Sequence, residues 1–405
     1  MYQFVEGGVC AAKGFLASGV HCGIRKNQTK KDLALIYSQR RCAAAAIYTQ
    51  NKVKGAPLEV TRAHLADGMA QAILCNSGNA NTCNADGMDI ANAMCAGAAL
   101  ALHIPEEDIV VASTGVIGQP LPLGPITAAL PGLAAALSAE GNAAASEAIL
   151  TTDLHQKQAA VQFELGGKPC TVGGIAKGSG MIHPNMATML CFVTTDAAIS
   201  PAMLQKACKS VADETFNMVS VDGDTSTNDM LAILANGMAE NDPIQKEGAD
   251  YYAFAQALYI VCRQLSRAIA ADGEGATKLL ECTVEGAPDK DLARRVAKSI
   301  ICSNLVKTAM FGADANWGRV LCAIGYTAGE FDISRVSAAF SSSAGTVEVC
   351  QGGAGIPFSE ELAKQVLSQP EIQIQVDLGQ GAESATAWGC DLSYDYVKIN
   401  GDYRT

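Results

Sequence analysis

The chain has 405 residues, 17% of them charged and 49% hydrophobic, which argues against disorder. Its net charge is −12 and no run of Lys or Arg forms a basic stripe, which argues against nucleic-acid binding. Fifteen cysteines, an odd number without a C-x-x-C pair, fit free buried thiols in a reducing compartment rather than disulfides or zinc. The first residues lack the basic and apolar stretches of a signal peptide, and the Ala-rich segment 91–102 is too short to cross a membrane. The expectation is a soluble cytoplasmic protein, folded as two lobes or as one large α/β unit.

Helix and strand signals alternate along the chain. Residues 87–103 predict a buried helix that stops before Pro105. Val161, Phe163 and Leu165 alternate with polar neighbours, and Gly166-Gly167 then turns the chain toward Cys170 and Val172, a hairpin signal. This hairpin leads into Lys177–Asp196, the most informative segment of the chain. Gly178 and Gly180 permit positive φ, and Pro184 restricts His183 before it. Met189 to Val193 is wholly apolar and predicts a strand buried on both faces. Thr188 would stand at the mouth of that strand.

Further on, Ser200-Pro201 predicts a helix start, with Leu204, Cys208 and Val211 on one face. A helix near 250–270 places Phe254, Leu258, Val261, Leu265 and Ile269 on one stripe, and Asp272-Gly273-Glu274-Gly275 then predicts a turn that exposes an acidic side chain. A single helix is expected from Asp289 to Lys307, with Leu292, Val296, Ile300 and Ser303 in phase. Gln351 to Gly355 reads as a turn, and Ile372, Ile374 and Val376 as a half-buried strand. Tyr394, Tyr396, Val397, Ile399 and Tyr403 provide apolar surface for burial, so an ordered C-terminus is expected. Layered α/β is the class this alternation supports.

The common catalytic motifs are missing: there is no phosphate loop, no G-x-S-x-G elbow and no H-E-x-x-H. The five histidines (21, 64, 103, 155 and 183) form no metal pair, and His64 and His103 are expected on or at the ends of helices. The run Asp222–Asp229 lacks the glutamate an EF-hand needs and reads as a capped, hydrogen-bonded loop; no metal site is expected. A threonine nucleophile therefore needs a base from elsewhere. If the Ala187–Thr188 bond is cut by an N→O acyl shift and hydrolysis, the new α-amine supplies one, with an ordinary pKa of about 8. By pattern alone, an ordinary strand threonine fits Thr188 better than a nucleophile does. On the same grounds Ser113-Thr114-Gly115 fits a plain turn, and Lys177 and Glu274 fit solvated surface charges.

A resemblance changes that balance. Lys177–Asp196 resembles the cleavage and nucleophile motif of the ornithine acetyltransferase family, the glutamate N-acetyltransferases or bifunctional ArgJ family of arginine biosynthesis. Matches run along the whole chain: Gly7-Gly-Val-Cys-Ala-Ala-Lys-Gly-Phe15, Asn76-Ser-Gly-Asn-Ala-Asn81, Ser113-Thr-Gly-Val-Ile-Gly118 and Thr151-Thr-Asp153. They continue with Asp222-Gly-Asp-Thr-Ser-Thr-Asn-Asp229, Phe311-Gly-Ala-Asp-Ala-Asn-Trp-Gly-Arg319 and the segment from Trp388 to Thr405. Cys10, Cys191 and Gly401 depart from the family pattern, away from catalytic positions.

The resemblance implies an α/β, Ntn-hydrolase-like fold of the ArgJ/DmpA type, made as a precursor. Self-cleavage between Ala187 and Thr188 would give chains 1–187 and 188–405 packed in one catalytic unit. Thr188 would be the nucleophile, with Thr114 and Gly115 as the oxyanion-hole pair. Thr151, Lys177, Thr188, Glu274, Asn400 and Thr405 would bind substrate. On this reading Thr188 takes the acetyl group of N2-acetyl-L-ornithine and passes it to L-glutamate, by a ping-pong route and without a cofactor. The resemblance also implies a dimer of cleaved pairs. Acetyl-CoA as a second donor is left open by the sequence, as is a self-processing aminopeptidase or amidase in which water replaces glutamate.

Overall fold

The computed structural model describes residues 1–183 and 189–402. The strands, in chain order, are β1 (Gln3–Phe4), β2 (Phe15–Val20), β3 (Leu33–Tyr48), β4 (Met69–Asn76), β5 (Ile109–Ser113), β6 (Lys157–Leu165), β7 (Lys168–Lys177) and β8 (Leu190–Thr195). They continue as β9 (Val219–Ser220), β10 (Met230–Ala235), β11 (Leu279–Ala287), β12 (Ser337–Ser342), β13 (Gly345–Gln351), β14 (Ala354–Gly355), β15 (Glu371–Asp377) and β16 (Glu383–Cys390). The chain forms two compact units. The first holds Met1–Gly178, Pro184–Asn217 and Thr225–Leu265, and the second Ser179–His183, Met218–Asp224 and Ser266–Thr405.

The first unit is built on a nine-stranded sheet of order β1-β6-β7-β8-β10-β3-β4-β5, with β2 also paired to β3. Pairs β4·β5 and β8·β10 are parallel, and the remainder are antiparallel. The predicted hairpin is β6–β7: Leu165 pairs with Lys168, and Gly166 and Gly167 take φ of 56° and 77°, the left-handed pair that a two-residue hairpin turn demands. Every residue of β8 is buried, as its apolar run requires, and the strand lies between β7 and β10. One side of the sheet carries Phe15, Ile36, Ile73, Ile175, Phe192 and Leu234 in a common core. The other packs Leu35, Leu74 and Val111 against Met94 of helix Gly87–Leu102 and Leu130 of helix Leu123–Ala135.

The predicted helix over 87–103 is thus present and closes at His103, whose φ of 56° makes it a left-handed C-cap. His64 ends helix Ala56–His64. Helix Pro201–Glu214 starts as expected, with Ser200 Oγ accepting from Met203 N and with Leu204, Cys208 and Val211 buried. All fifteen cysteines are free and most are buried.

The second unit has a seven-stranded sheet of order β14-β13-β12-β15-β11-β16-β9. Ile372, Ile374 and Val376 are buried on β15 while their neighbours are exposed, the alternation read from sequence. Gly352 and Gly353, with φ of 57° and 70°, turn β13 into β14. Helix Ala249–Ala271, whose residues through Leu265 belong to the first unit, buries Phe254, Leu258, Val261, Leu265 and Ile269.

Three expectations need correction. The helix expected from Asp289 to Lys307 is two helices, Lys290–Cys302 and Asn304–Phe311. Ser303 leaves helical geometry at ψ 113°, and its Oγ caps the second helix at Val306 N, so local capping outweighs the continuing apolar phase. Glu274 is not exposed but only 8% accessible, because the turn folds inward against Ser179 and Asn400. The tail forms a helix, Tyr394–Gly401, yet Tyr394 and Val397 are 85% and 70% exposed. Polar ties hold helix Tyr394–Gly401 instead: Ser393 Oγ donates to Gly275 O at 2.5 Å and caps Asp395 N. No helix among the described residues is long and apolar enough to cross a membrane.

Candidate active site

In the first unit β4 and β5 run parallel and end together, Asn76 opposite Ser113. Asn76 organises both following loops. Its Nδ2 donates to Ser113 Oγ at 2.6 Å, its Oδ1 accepts from Gly78 N and Asn79 N, and its carbonyl accepts from Thr114 N at 3.0 Å. Gly115 follows at φ 128°, and a Cβ there would lie 2.8 Å from Asn79 N and Gly78 C. Only glycine fits so close an approach. Asn228, two residues before β10, joins the group: its Nδ2 donates to Ala80 O at 2.6 Å and to Ser113 O at 3.0 Å. Thr114 and Gly115 are both half-buried, and this hydrogen-bonded loop carries a hydroxyl and a backbone N–H. That pairing of donors can stabilise a developing oxyanion.

Lys177, the last residue of β7, is 7% exposed and not a surface charge. It shares a charge cluster with Asp153, Lys157 and Asp229. Asp153 pairs with Lys157 Nζ at 2.7 Å and accepts from Thr151 N at 3.0 Å and Gly178 N at 2.6 Å. Burial by itself would raise the Asp153 pKa, but Lys177, Lys157 and these hydrogen bonds hold it well below the usual carboxylate range. A carboxylate with a depressed folded-state pKa contributes stability that is complete above its unfolded value. For Asp153 that contribution is lost as pH falls below about 4. Asp153→Asn, which removes the carboxylate from buried Lys157, is expected to cost about 3–5 kcal/mol in urea unfolding at pH 7. The difference from the unsubstituted protein should shrink in acid.

Asp229 behaves oppositely. It is 3% exposed, and its Oδ2 has no hydrogen-bond partner among the described residues. Burial pushes its pKa well above the usual value, opposed by a hydrogen bond from Ser226 and by the charge of Lys177.

In the second unit Asn400 Nδ2 donates to Glu274 Oε2 at 2.9 Å, and Glu274 N donates to Ser179 O at 2.9 Å. A Cβ on Gly180 would overlap the Glu274 carboxylate, so glycine lets the acid sit close to that turn. Asp222 accepts from Met181 N at 2.6 Å and Ile182 N at 2.8 Å, the hydrogen-bonded loop expected of that run. His183 lies 3.1 Å from Ser220 Oγ; burial and the nearby Lys298 lower its pKa to about 4, so the imidazole is neutral at pH 7. Among the described residues no group of three or more His, Cys, Asp or Glu could hold a metal ion.

Of the residues singled out from sequence, the first unit joins Thr151 to Lys177 through Asp153, and the Thr114–Gly115 loop to Asp229 through Asn228. The second unit joins Glu274 to Asn400. Ala187, Thr188 and Thr405 lie outside the described residues. Asp153, Asn228 and Asp229 were not picked out individually. For Asp229 a signal existed: a lone acid precedes the apolar run Met230-Leu-Ala-Ile-Leu-Ala235, as Thr188 precedes Met189–Val193.

Fold and site together define an α/β enzyme with a Thr–Gly donor loop beside a buried lysine–carboxylate cluster. The sequence profile of the ArgJ family matches residues 16–405. The chain is 51% identical to an arginine biosynthesis bifunctional protein ArgJ of Caldanaerobacter subterraneus subsp. tengcongensis, over the full length of both. It is 52% identical to the protein of the same name from Symbiobacterium thermophilum, again over both full lengths. A crystal structure of the protein so named from Bacillus halodurans is 46% identical, covers 52% of this chain and 98% of its own, and has a TM-score of 0.49. The chain belongs to the ArgJ family.

Proposed function

We propose that this protein transfers the acetyl group of N2-acetyl-L-ornithine to L-glutamate, giving ornithine and N-acetylglutamate in cytoplasmic arginine biosynthesis. Identity of one residue in two, over the whole length of arginine biosynthesis bifunctional proteins, is the observation that carries this reading. The chain is made as a precursor and cut between Ala187 and Thr188, and the two pieces stay together. Pairing of β7 with β8, which flank that position in sequence, supports their staying together. Two cleaved pairs associate as a dimer.

Catalysis runs in two half-reactions. The Thr188 hydroxyl attacks the acetyl carbonyl, its proton passes to the α-amine of the same residue, and Thr114 with Gly115 stabilises the oxyanion. Ornithine leaves with that proton, and the glutamate amine then attacks the acetyl-Thr188 ester by the same route. Thr151, Lys177, Glu274, Asn400 and Thr405 bind the amino-acid parts. The buried ammonium of Lys177 suits a substrate carboxylate, and the Glu274 carboxylate suits the side-chain ammonium of ornithine. Acetyl-CoA is the second acetyl donor, a reading supported by the word bifunctional in the relatives' names.

Incubation with acetylornithine, with and without glutamate, tests the reaction. N-acetylglutamate should form with glutamate, and little acetate without it. Rapid release of acetate in either case would make the protein a hydrolase, the amidase alternative. Acetyl-CoA with glutamate tests the second donor.

A further inference from the structure

One peptide unit, between Ser113 and Thr114, leads into the donor loop, and an asparagine holds each of its polar ends. Thr114 N donates to the Asn76 carbonyl at 3.0 Å, and Ser113 O accepts from Asn228 Nδ2 at 3.0 Å. Asn76 is brought here by the β4·β5 ladder, whereas Asn228 lies 115 residues beyond Ser113 in sequence.

The surroundings of Asn228 are built around its amide. The residue is 4% exposed, and all four hydrogen-bonding positions of its side chain are filled. Nδ2 donates to the carbonyls of Ala80 (2.6 Å) and Ser113, and Oδ1 accepts from the hydroxyls of Thr82 and Thr227, both at 2.6 Å. Carbonyl oxygens only accept, so the amide has one orientation. Gly55 leaves the space for it: a Cβ there would overlap Asn228 Nδ2 and lie 2.8 Å from Thr82 Oγ1. At φ −68° and ψ 140° the backbone of Gly55 suits any residue, so packing against Asn228, and not conformation, is what calls for glycine.

Ala80 and Ser113 belong to the loops that follow β4 and β5, which also meet where Ala80 N donates to Val116 O at 2.9 Å. By bridging the two carbonyls Asn228 sets the spacing of these loops. Gly115 is stopped on its other side by the backbone of Gly78 and Asn79. The peptide that carries the Gly115 N–H is thus fixed from both directions.

We propose that Asn228 is a positioning residue for acetyl transfer, aiming the Thr114 and Gly115 donors by clamping Ser113 O to the Ala80 loop. This rests on the oxyanion role proposed for those two residues. Asn228 itself touches no substrate in this assignment. A misaimed donor loses transition-state stabilisation and leaves ground-state binding intact, so the loss is read in kcat and not in KM.

Asn228→Asp keeps the size of the side chain but turns a carboxylate oxygen toward two carbonyl oxygens. Its kcat should fall at least about tenfold, with KM for acetylornithine within about threefold. Combined with Gly115→Ala, it should lower kcat little beyond the larger single effect, because both changes act on one loop. Gly55→Ala decides if Asn228→Asp does not fold. Alanine is unstrained at that position and acts by displacing the Asn228 amide, so kcat should fall at least about threefold, again without a rise in KM. A smaller fall in either folded variant, a loss carried by KM, or effects of Asn228→Asp and Gly115→Ala that multiply would each overturn the assignment. Full kcat in Gly115→Ala would instead overturn the oxyanion reading on which it rests.

Discussion

Thr188→Ala is expected to run as a single band of the full 41.9 kDa chain on a denaturing gel, whereas the unsubstituted protein, on the proposed cleavage, should give the pieces 1–187 and 188–405. One hydroxyl is assigned two acyl transfers, so its loss removes both. Without it nothing attacks the Ala187 carbonyl, no amine is released, and acetyl transfer should fall about 10⁶-fold, as when a nucleophile and its base are lost together. Thr188→Ser retains a hydroxyl in the same place and should still cleave and transfer, more slowly. Two bands in Thr188→Ala would show that something other than this side chain makes the cut. Transfer by an uncut Thr188→Ala chain would remove the covalent intermediate from the mechanism.

Gly115→Ala is expected to have the next largest effect, for a reason independent of any chemistry at residue 188. At φ 128° an alanine is strained, at a cost of about 1–3 kcal/mol, and its Cβ would meet Asn79 N and Gly78 C at 2.8 Å. Both contacts are backbone, held by Asn76, so relief must come from the Thr114–Gly115 loop itself. Moving that loop misaims the donors. The expected result is a fall in kcat of about 10²–10³-fold with little change in KM, the pattern of an interaction made mainly in the transition state. Thermal unfolding would show whether the chain stays folded. A folded Gly115→Ala enzyme with full kcat would remove Thr114 and Gly115 from the oxyanion site.

Much of the fold was legible because its signals are local. Gly166-Gly167 specifies a left-handed turn, Ser200-Pro201 a capped helix start, and the alternation of Ile372, Ile374 and Val376 a strand with one buried face. Where local signals compete, the sequence misleads. The apolar phase from Leu292 to Ser303 continues one helix, yet the capping preference of Ser303 ends it and starts another. At the C-terminus, apolar residues predicted burial, whereas polar ties from Ser393 and Asn400 order the tail and leave Tyr394 and Val397 in solvent.

The site divides in the same way. Thr114, Gly115, Thr151, Lys177, Glu274 and Asn400 are proposed as site residues through whole-chain resemblance, a statement about positions in a motif. Their environments were not legible. In sequence Lys177 and Glu274 are charged residues next to glycine turns, and a charge in such a place is normally solvated. Their burial depends on groups distant in the chain: Asp153 and Asp229 for Lys177, and Asn400 for Glu274. Asp229 is the clearest case. Its residue type and the strand that follows it are plain in the chain, but its burial and the charge it meets from Lys177 depend on segments distant in the chain. Periodicity, capping and turn chemistry act within a few residues and can be read directly. Burial, charge pairing and strand register come from contacts between distant segments, and they exist only once the sheet has formed.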